Sequence, residues 1–231
     1  MVKADKGVAI SKLCPLVFFY GEIEIKEVRT MQHFVITIGC EYGAKGNAIG
    51  KKIAEDLKIP FYNRETVDAI IEEVGIPQEI MDKVESGVTI AGKGVEGQER
   101  GSFSKLSDLT QRAIHVQKQI IRKLAEKESC VFIGRSADYI LKGQDNILRV
   151  FVYAPDEIRV KTVCESHNLS EKDAKLLILE KDKRYHVRNL AFTGSNRGDR
   201  HNRNLLIDSS LLGVEGTAEY IEILAKKVFG L

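Results

Sequence analysis

An α/β fold, a parallel sheet with helices on both faces, is the class this sequence predicts. Three observations carry it. Short, mostly apolar runs at 34–38, 130–134 and 147–152 read as strands buried on both faces. The stretches between them repeat their apolar residues every three or four positions, as one face of a helix does. The first run ends in a glycine-rich turn, GCEYGAKGNAIG from Gly39 to Gly50, that feeds directly into such a stretch.

Taken in chain order, residues 1–30 read differently from the rest. They hold β-like pieces without an evident partner, and Met31 directly precedes the first convincing strand. We therefore expect an N-terminal appendage over 1–30 and one compact domain over 31–231. Phe34 to Ile38 is the first strand. Ile49, Ile53 and Leu57, four apart, give the following helix one apolar stripe. IPFYNRE is a short extended piece that opens a helix over Thr66 to Val74. Gly87 to Gly101 is glycine-rich and expected to be a mobile loop or linker. A long helix follows, with Leu109, Ala113, Val116, Ile120 and Leu124 on one side and Ser107 as its N-cap. CVFIG and Ile147 to Val152 are strands. Ser170 opens another helix, with a capping hydroxyl followed by acids in the first turn. NRGDRHNRN is polar loop, Leu205 to Ile207 a short strand, and Val214 to Val228 a final amphipathic helix.

Composition bounds the partners. A net charge of +2 over 231 residues gives no global argument for nucleic acid or a membrane surface, and neither is expected as a partner. Leu16 to Tyr20 is too short an apolar run to span a bilayer. No signal-peptide cleavage pattern precedes the acidic residues after it. Cys14, Cys40, Cys130 and Cys164 form no CxxC pair, which argues against zinc and for free thiols in a reducing, cytoplasmic setting. No metal-ligand set is expected. The sequence leaves the oligomeric state open.

The glycine-rich turn is the strongest chemical signal. In the standard phosphate loop, GxxxxGK[ST], glycines turn backbone N–H groups inward, a lysine reaches the outer phosphates and a hydroxyl binds Mg²⁺. Gly39, Gly43, Ala44, Lys45, Gly46 and Asn47 are the candidate ATP-binding residues. The spacing from Gly39 to Lys45 is kept, with Ala44 for the second glycine and no hydroxyl after the lysine. A second register puts Gly46 at the lysine position; both stay open at this point. In either, the helix N-terminus attracts phosphate through its unpaired N–H groups and partial positive charge.

ITIGCEYGAKGNAIGKKIAEDLKIPFYNRE, CVFIGRSADYIL, LRVFVYAPDEIRV and LLIDSSLLGVEGTAEYI resemble the cytidylate kinase-like family, from about Met31 to the C-terminus. The family loop reads ISREYGSGGREI; this chain departs from it at Gly39-Cys40, Ala44-Lys45 and Asn47-Ala48. The resemblance implies a P-loop kinase fold with a helical acceptor-binding region and a lid. It implies phosphoryl transfer from ATP, with Mg²⁺, to a nucleoside monophosphate, CMP being favoured. The alternatives are a nucleotide-binding module without turnover and a kinase with a non-nucleotide acceptor. It also implies roles for particular residues. Lys45 holds the donor phosphates. Tyr62, Arg64, Arg135 and Asp138 form the acceptor side. Lys181, Arg184 and Arg188 share the face of a lid helix, with Arg184 and Arg188 catalytic. The acid that follows the arginine in such kinases is Ser136 here, with Asp138 two residues on. Asp208 either contacts the adenine-side loop or caps its turn.

Overall fold

The computed structural model describes residues 33–86 and 108–231. The expected appendage, the glycine-rich segment and the Ser107 cap lie outside the described residues. Five strands form one parallel sheet in the order β2-β3-β1-β4-β5: β1 Val35–Cys40, β2 Phe61–Tyr62, β3 Cys130–Ile133, β4 Ile147–Tyr153 and β5 Leu205–Asp208. β1 is central. It pairs Val35 with Cys130 on one side and Val35 with Ile147 on the other. Strands β2 and β3 build outward in one direction and β4 and β5 in the other, so the strand order reverses at the end of β1. A crevice opens there at the carboxyl ends, which is where ligands bind in open α/β sheets.

Side-chain alternation assigns the two faces. Ile36, Ile38, Leu148, Val150 and Val152 pack under α1 (Gly46–Leu57) and α8 (Ser209–Phe229), against Ile49, Ile53, Ala218 and Ile221. Val35, Phe132 and Ile147 face the opposite way, onto α4 (Asp108–Lys127) and α5 (Ala137–Ile140), through Ile121, Ala125, Ile140 and Leu141. Each such buried aliphatic side chain stabilises the fold by roughly 1.5–3 kcal/mol.

The expected helices form, with three additions, one of them the short α5. α2 spans Arg64–Glu73, and Asn63 and Thr66 cap its start reciprocally. α3 (Gln78–Ser86) and α6 (Asp156–His167) have no counterpart in the sequence reading. α6 places charged residues nearly all round and buries only Arg159, Val160 and Val163, so it carries no clean stripe. α7 (Glu171–Thr193) begins as expected, the Ser170 hydroxyl accepting from the Asp173 N–H at 3.2 Å. α6 and α7 form a hairpin with its own small core of Val160, Val163, Ala174 and Ile178. The last helix starts earlier than Val214. Asp208 caps a first turn, accepting from the Ser210 N–H at 2.8 Å, and Gly213 at φ 67° breaks the helix before it resumes. Among the described residues no helix is long and apolar enough to cross a membrane.

Candidate active site

The cleft at the carboxyl edge of the sheet has a volume of about 590 Å³. Its floor is the loop between β1 and α1. Lys45 closes that loop in a left-handed conformation, φ 58°, and α1 starts at Gly46 with no side-chain cap. Lys45 supplies no capping side chain; the Gly46 N–H meets the Cys40 thiol, and Gly46 and Asn47 line the cleft, so the helix start faces it as in sites that bind anions. Gly46 is required there by close approach: a Cβ on it would lie 2.5 Å from the Cys40 Cβ and 2.6 Å from its Sγ. The second register thus has no room for a lysine side chain at Gly46. Lys45 is exposed and lines the cleft with Gly39, Gly43 and Asn47, while Ala44 is buried beneath the loop. Burial pushes the Cys40 thiol up against the pull of Arg197, so this cysteine is held as a neutral thiol.

The helical hairpin grips the loop at Tyr42. The Tyr42 N–H donates to Asp182 Oδ1 at 3.0 Å, its carbonyl accepts from Arg159 Nε at 2.9 Å, and its hydroxyl meets His167 Nε2 at 2.8 Å. Asp182 also pairs with Arg159, and with Arg197 at 2.9 Å. Arg197 reaches the Cys40 carbonyl and lies over the Tyr185 ring, 4.9 Å from its centroid. Glu41 completes the set, 3.4 Å from Arg159. Asp182 is thus the point through which α7 holds both the loop and two arginines.

The opposite wall comes from the end of β3. Gly134, Arg135 and Ser136 are all left-handed, at φ 66°, 55° and 54°. For the two non-glycine residues this costs about 1–2 kcal/mol each. The surroundings hold them there. The Gln117 amide donates to the Arg135 carbonyl at 3.0 Å, and the guanidinium pairs with Asp68, both side chains nearly fully buried. Asp68 also pairs with Arg64 at 3.4 Å, and Arg64 reaches Asp82 at 2.6 Å. Asp138 pairs with Arg203.

The predicted residues divide accordingly. The loop residues, Arg64, Arg135, Asp138 and Arg188 come together around one cleft. Tyr62 does not join them. It stacks on Phe132 at 5.2 Å and donates to Glu128 at 3.1 Å, and burial with that carboxylate pushes its pKa up to about 12. It is a packing residue, because β2 turns its side chain toward α4. Arg184 pairs with Glu180 one turn back at 2.6 Å, and neither it nor Lys181 lines the cleft. Three positions spaced three and four apart share a face only broadly; of these, Arg188 alone is buried and turned inward, over the Phe192 ring. Asp208 caps its helix. Sequence reasoning missed Asp68, Arg159, Asp182, Arg197 and Arg203 as site residues. The only available signal was the arginine density of NRGDRHNRN, which reads equally well as solvated loop.

A parallel five-stranded sheet carrying this loop at its switch point, with a helical hairpin over it, defines a P-loop kinase fold. The family profile described as "Cytidylate kinase-like family" matches residues 35–211, and the chain belongs to that family. Solved structures resemble it in fold. An uncharacterized protein from Eubacterium ventriosum ATCC 27560 is 24% identical, over 84% of this chain and 99% of that one, with a TM-score of 0.65. A shikimate kinase from Bacteroides thetaiotaomicron is 13% identical over 84% and 98%, with a TM-score of 0.46. A gluconokinase from Sinorhizobium meliloti 1021 is 15% identical over 86% and 92%, with a TM-score of 0.42. A comparison with curated protein sequences finds no match.

Proposed function

We propose that this protein transfers the γ-phosphoryl group of ATP to a nucleoside monophosphate, with CMP favoured by the family resemblance. The observation that carries the reading is the cleft itself: an uncapped helix N-terminus and Lys45 on its floor, with arginines on both walls. The first-turn amides and Lys45 hold the donor phosphates. Arg135 and Arg64, fixed by Asp68, receive the acceptor phosphate. An acceptor phosphate oxygen attacks the γ-phosphorus, the bond from that phosphorus to the bridging oxygen breaks, and ADP leaves. Arg188 neutralises charge on the equatorial oxygens. Catalysis of this kind is mostly positioning and electrostatics.

Mg²⁺ is implied by the family. The nearest carboxylates, Glu41 on the loop and Asp182 on α7, are both engaged by arginines, and Gly46 and Asn47 stand where hydroxyls are often found. The described residues therefore do not make a ligand set of their own for the cation, and no step is assigned to it.

A second reading, nucleotide binding without turnover, is favoured by one observation: the Tyr42 amide is already taken by Asp182 rather than turned to the cleft. Coupled ADP-release assays against nucleoside monophosphates and small alcohols, with calorimetric ATP binding in parallel, separate the two. Turnover with a monophosphate supports the kinase. ATP binding with no turnover on any acceptor leaves the binding module.

A further inference from the structure

Beside the cleft lies a second cavity, of about 410 Å³, between α5 and the loop that leads into β5. Its lining is polar and basic. Lys142, Arg149, His201 and Arg203 face it, together with Thr193, Ser195 and the amides of Asn202 and Asn204. Among the described residues the only carboxylate in the lining is Asp138, and Arg203 already holds it.

Arg149 is the unusual member. It sits on β4 between Ile147 and Phe151, and by alternation it shares their face of the sheet, where an apolar residue is expected. Its position is fixed. Its N–H donates to Asn204 Oδ1 at 2.8 Å and its carbonyl accepts from the Asn204 N–H at 2.7 Å, while Nε reaches the same Oδ1 at 3.4 Å. Among the described residues neither Arg149, Lys142 nor His201 has a carboxylate within ion-pairing distance. Arg203, 5% exposed, has an Nε with no hydrogen-bond partner. Lys142, Arg149 and Arg203 outnumber the one Asp138 carboxylate, and like charges gathered in excess repel one another. In a chain of nearly balanced charge, such a gathering around a cavity indicates that an anion supplies the balance.

We propose that this cavity is a second binding site, for a small phosphorylated polyol such as a sugar monophosphate. A guanidinium and an ammonium suit phosphate oxygens. The surrounding hydroxyls and amides suit the hydroxyls of the carrier, and apart from Tyr139 and the His201 imidazole the lining offers no ring on which a nucleobase stacks. Asp138, Asn189 and Arg203 line this cavity and the cleft alike. The site is independent of the kinase reading.

The test is a site-resolved amide NMR titration of the full chain with inorganic phosphate, then ribose 5-phosphate, with citrate as a carboxylate control. It is run first without nucleotide and then in excess ATP. The expected result is saturable shifts over 142–149 and 195–204 that persist with ATP. Affinity in Lys142→Gln and Arg149→Gln should fall about tenfold, as for loss of one charged hydrogen bond. If Arg149→Gln does not fold, Lys142→Gln and His201→Gln, at exposed positions, carry the comparison. Shifts confined to residues 43–48, a linear response without saturation, or unchanged affinity in the variants would each overturn the site. Citrate binding as tightly as the sugar phosphate would overturn the phosphate assignment. Failure of ATP to shift residues 43–48 would count against the kinase reading alone.

Discussion

Replacing Asp182 tests whether α7 holds the phosphate loop. Its carboxylate is one-quarter exposed, accepts the Tyr42 N–H at 3.0 Å, and pairs with Arg159 and Arg197, whose side chains are 8% and 16% exposed. Breaking a fully buried ion pair costs about 3–5 kcal/mol. Two features reduce that here. Asp182 is partly solvated, and Arg159 keeps Glu41 at 3.4 Å and Asp156 at 3.3 Å. The loss therefore falls to the scale of a charged hydrogen bond, about 1.5–3 kcal/mol. Asp182→Asn removes the charge but keeps an oxygen for the Tyr42 N–H; Asp182→Ala removes both. The two variants should differ by about 0.5–1.5 kcal/mol, the worth of that one hydrogen bond. Urea denaturation measures the stabilities. Calorimetry measures ATP binding, which should weaken more in Asp182→Ala than in Asp182→Asn, because only the former releases the loop amide. Both variants lying within about 0.5 kcal/mol of the parent, the range of ordinary surface changes, would refute the idea that this carboxylate organises the loop.

Lys45→Ala should weaken ATP by about 1–3 kcal/mol, on the scale of a charged hydrogen bond, and AMP much less, since AMP lacks the outer phosphates; equal losses by calorimetry would remove Lys45 from the donor site. Arg188→Ala should lower kcat about 10²-fold with little change in ATP affinity, as for a single charge-stabilising group. Arg184→Ala, whose partner is Glu180 outside the cleft, should leave kcat near that of the parent, and steady-state kinetics that ranks the two arginines the other way would reverse the assignment. Burial pushes Cys130 up to about 12 from 9.0, and burial with Glu128 pushes Tyr62 up to about 12 from 10.0. Both folded-state values are raised, so the fold favours the neutral forms. This stability is fully present below pH 9 and is lost as pH rises from 9 toward 12. Tyr62→Phe combined with Cys130→Ala should flatten the alkaline decline in denaturation midpoint, and an unchanged decline would assign it to other groups.

The sequence alone determined the parallel-sheet class, the helices with a clear apolar stripe and the place of the loop. These follow from local patterns: mostly apolar runs mark strands buried on both faces, a four-residue stripe marks α1, and glycines mark the turn between them. Membership in a kinase-like family was legible for the same reason, since the motifs that carry it are contiguous. What only the tertiary structure decided is which charges meet. Lys181, Arg184 and Arg188 look equivalent along the chain, yet burial against Phe192 turns one inward while Glu180 holds another outside. Tyr62 lies in the expected motif, but strand alternation points it at Phe132 instead of the cleft. Asp182 lies in the same charged stretch as Lys181 and Arg184, where nothing along the chain sets it apart. It became the anchor of the loop only when the α6–α7 hairpin brought it to Tyr42, 140 residues away in sequence. A hydrogen bond between residues so far apart leaves no periodic trace, because its partners are chosen by packing after the backbone is in place. The fold was therefore readable from spacing, and the electrostatics of the site were not.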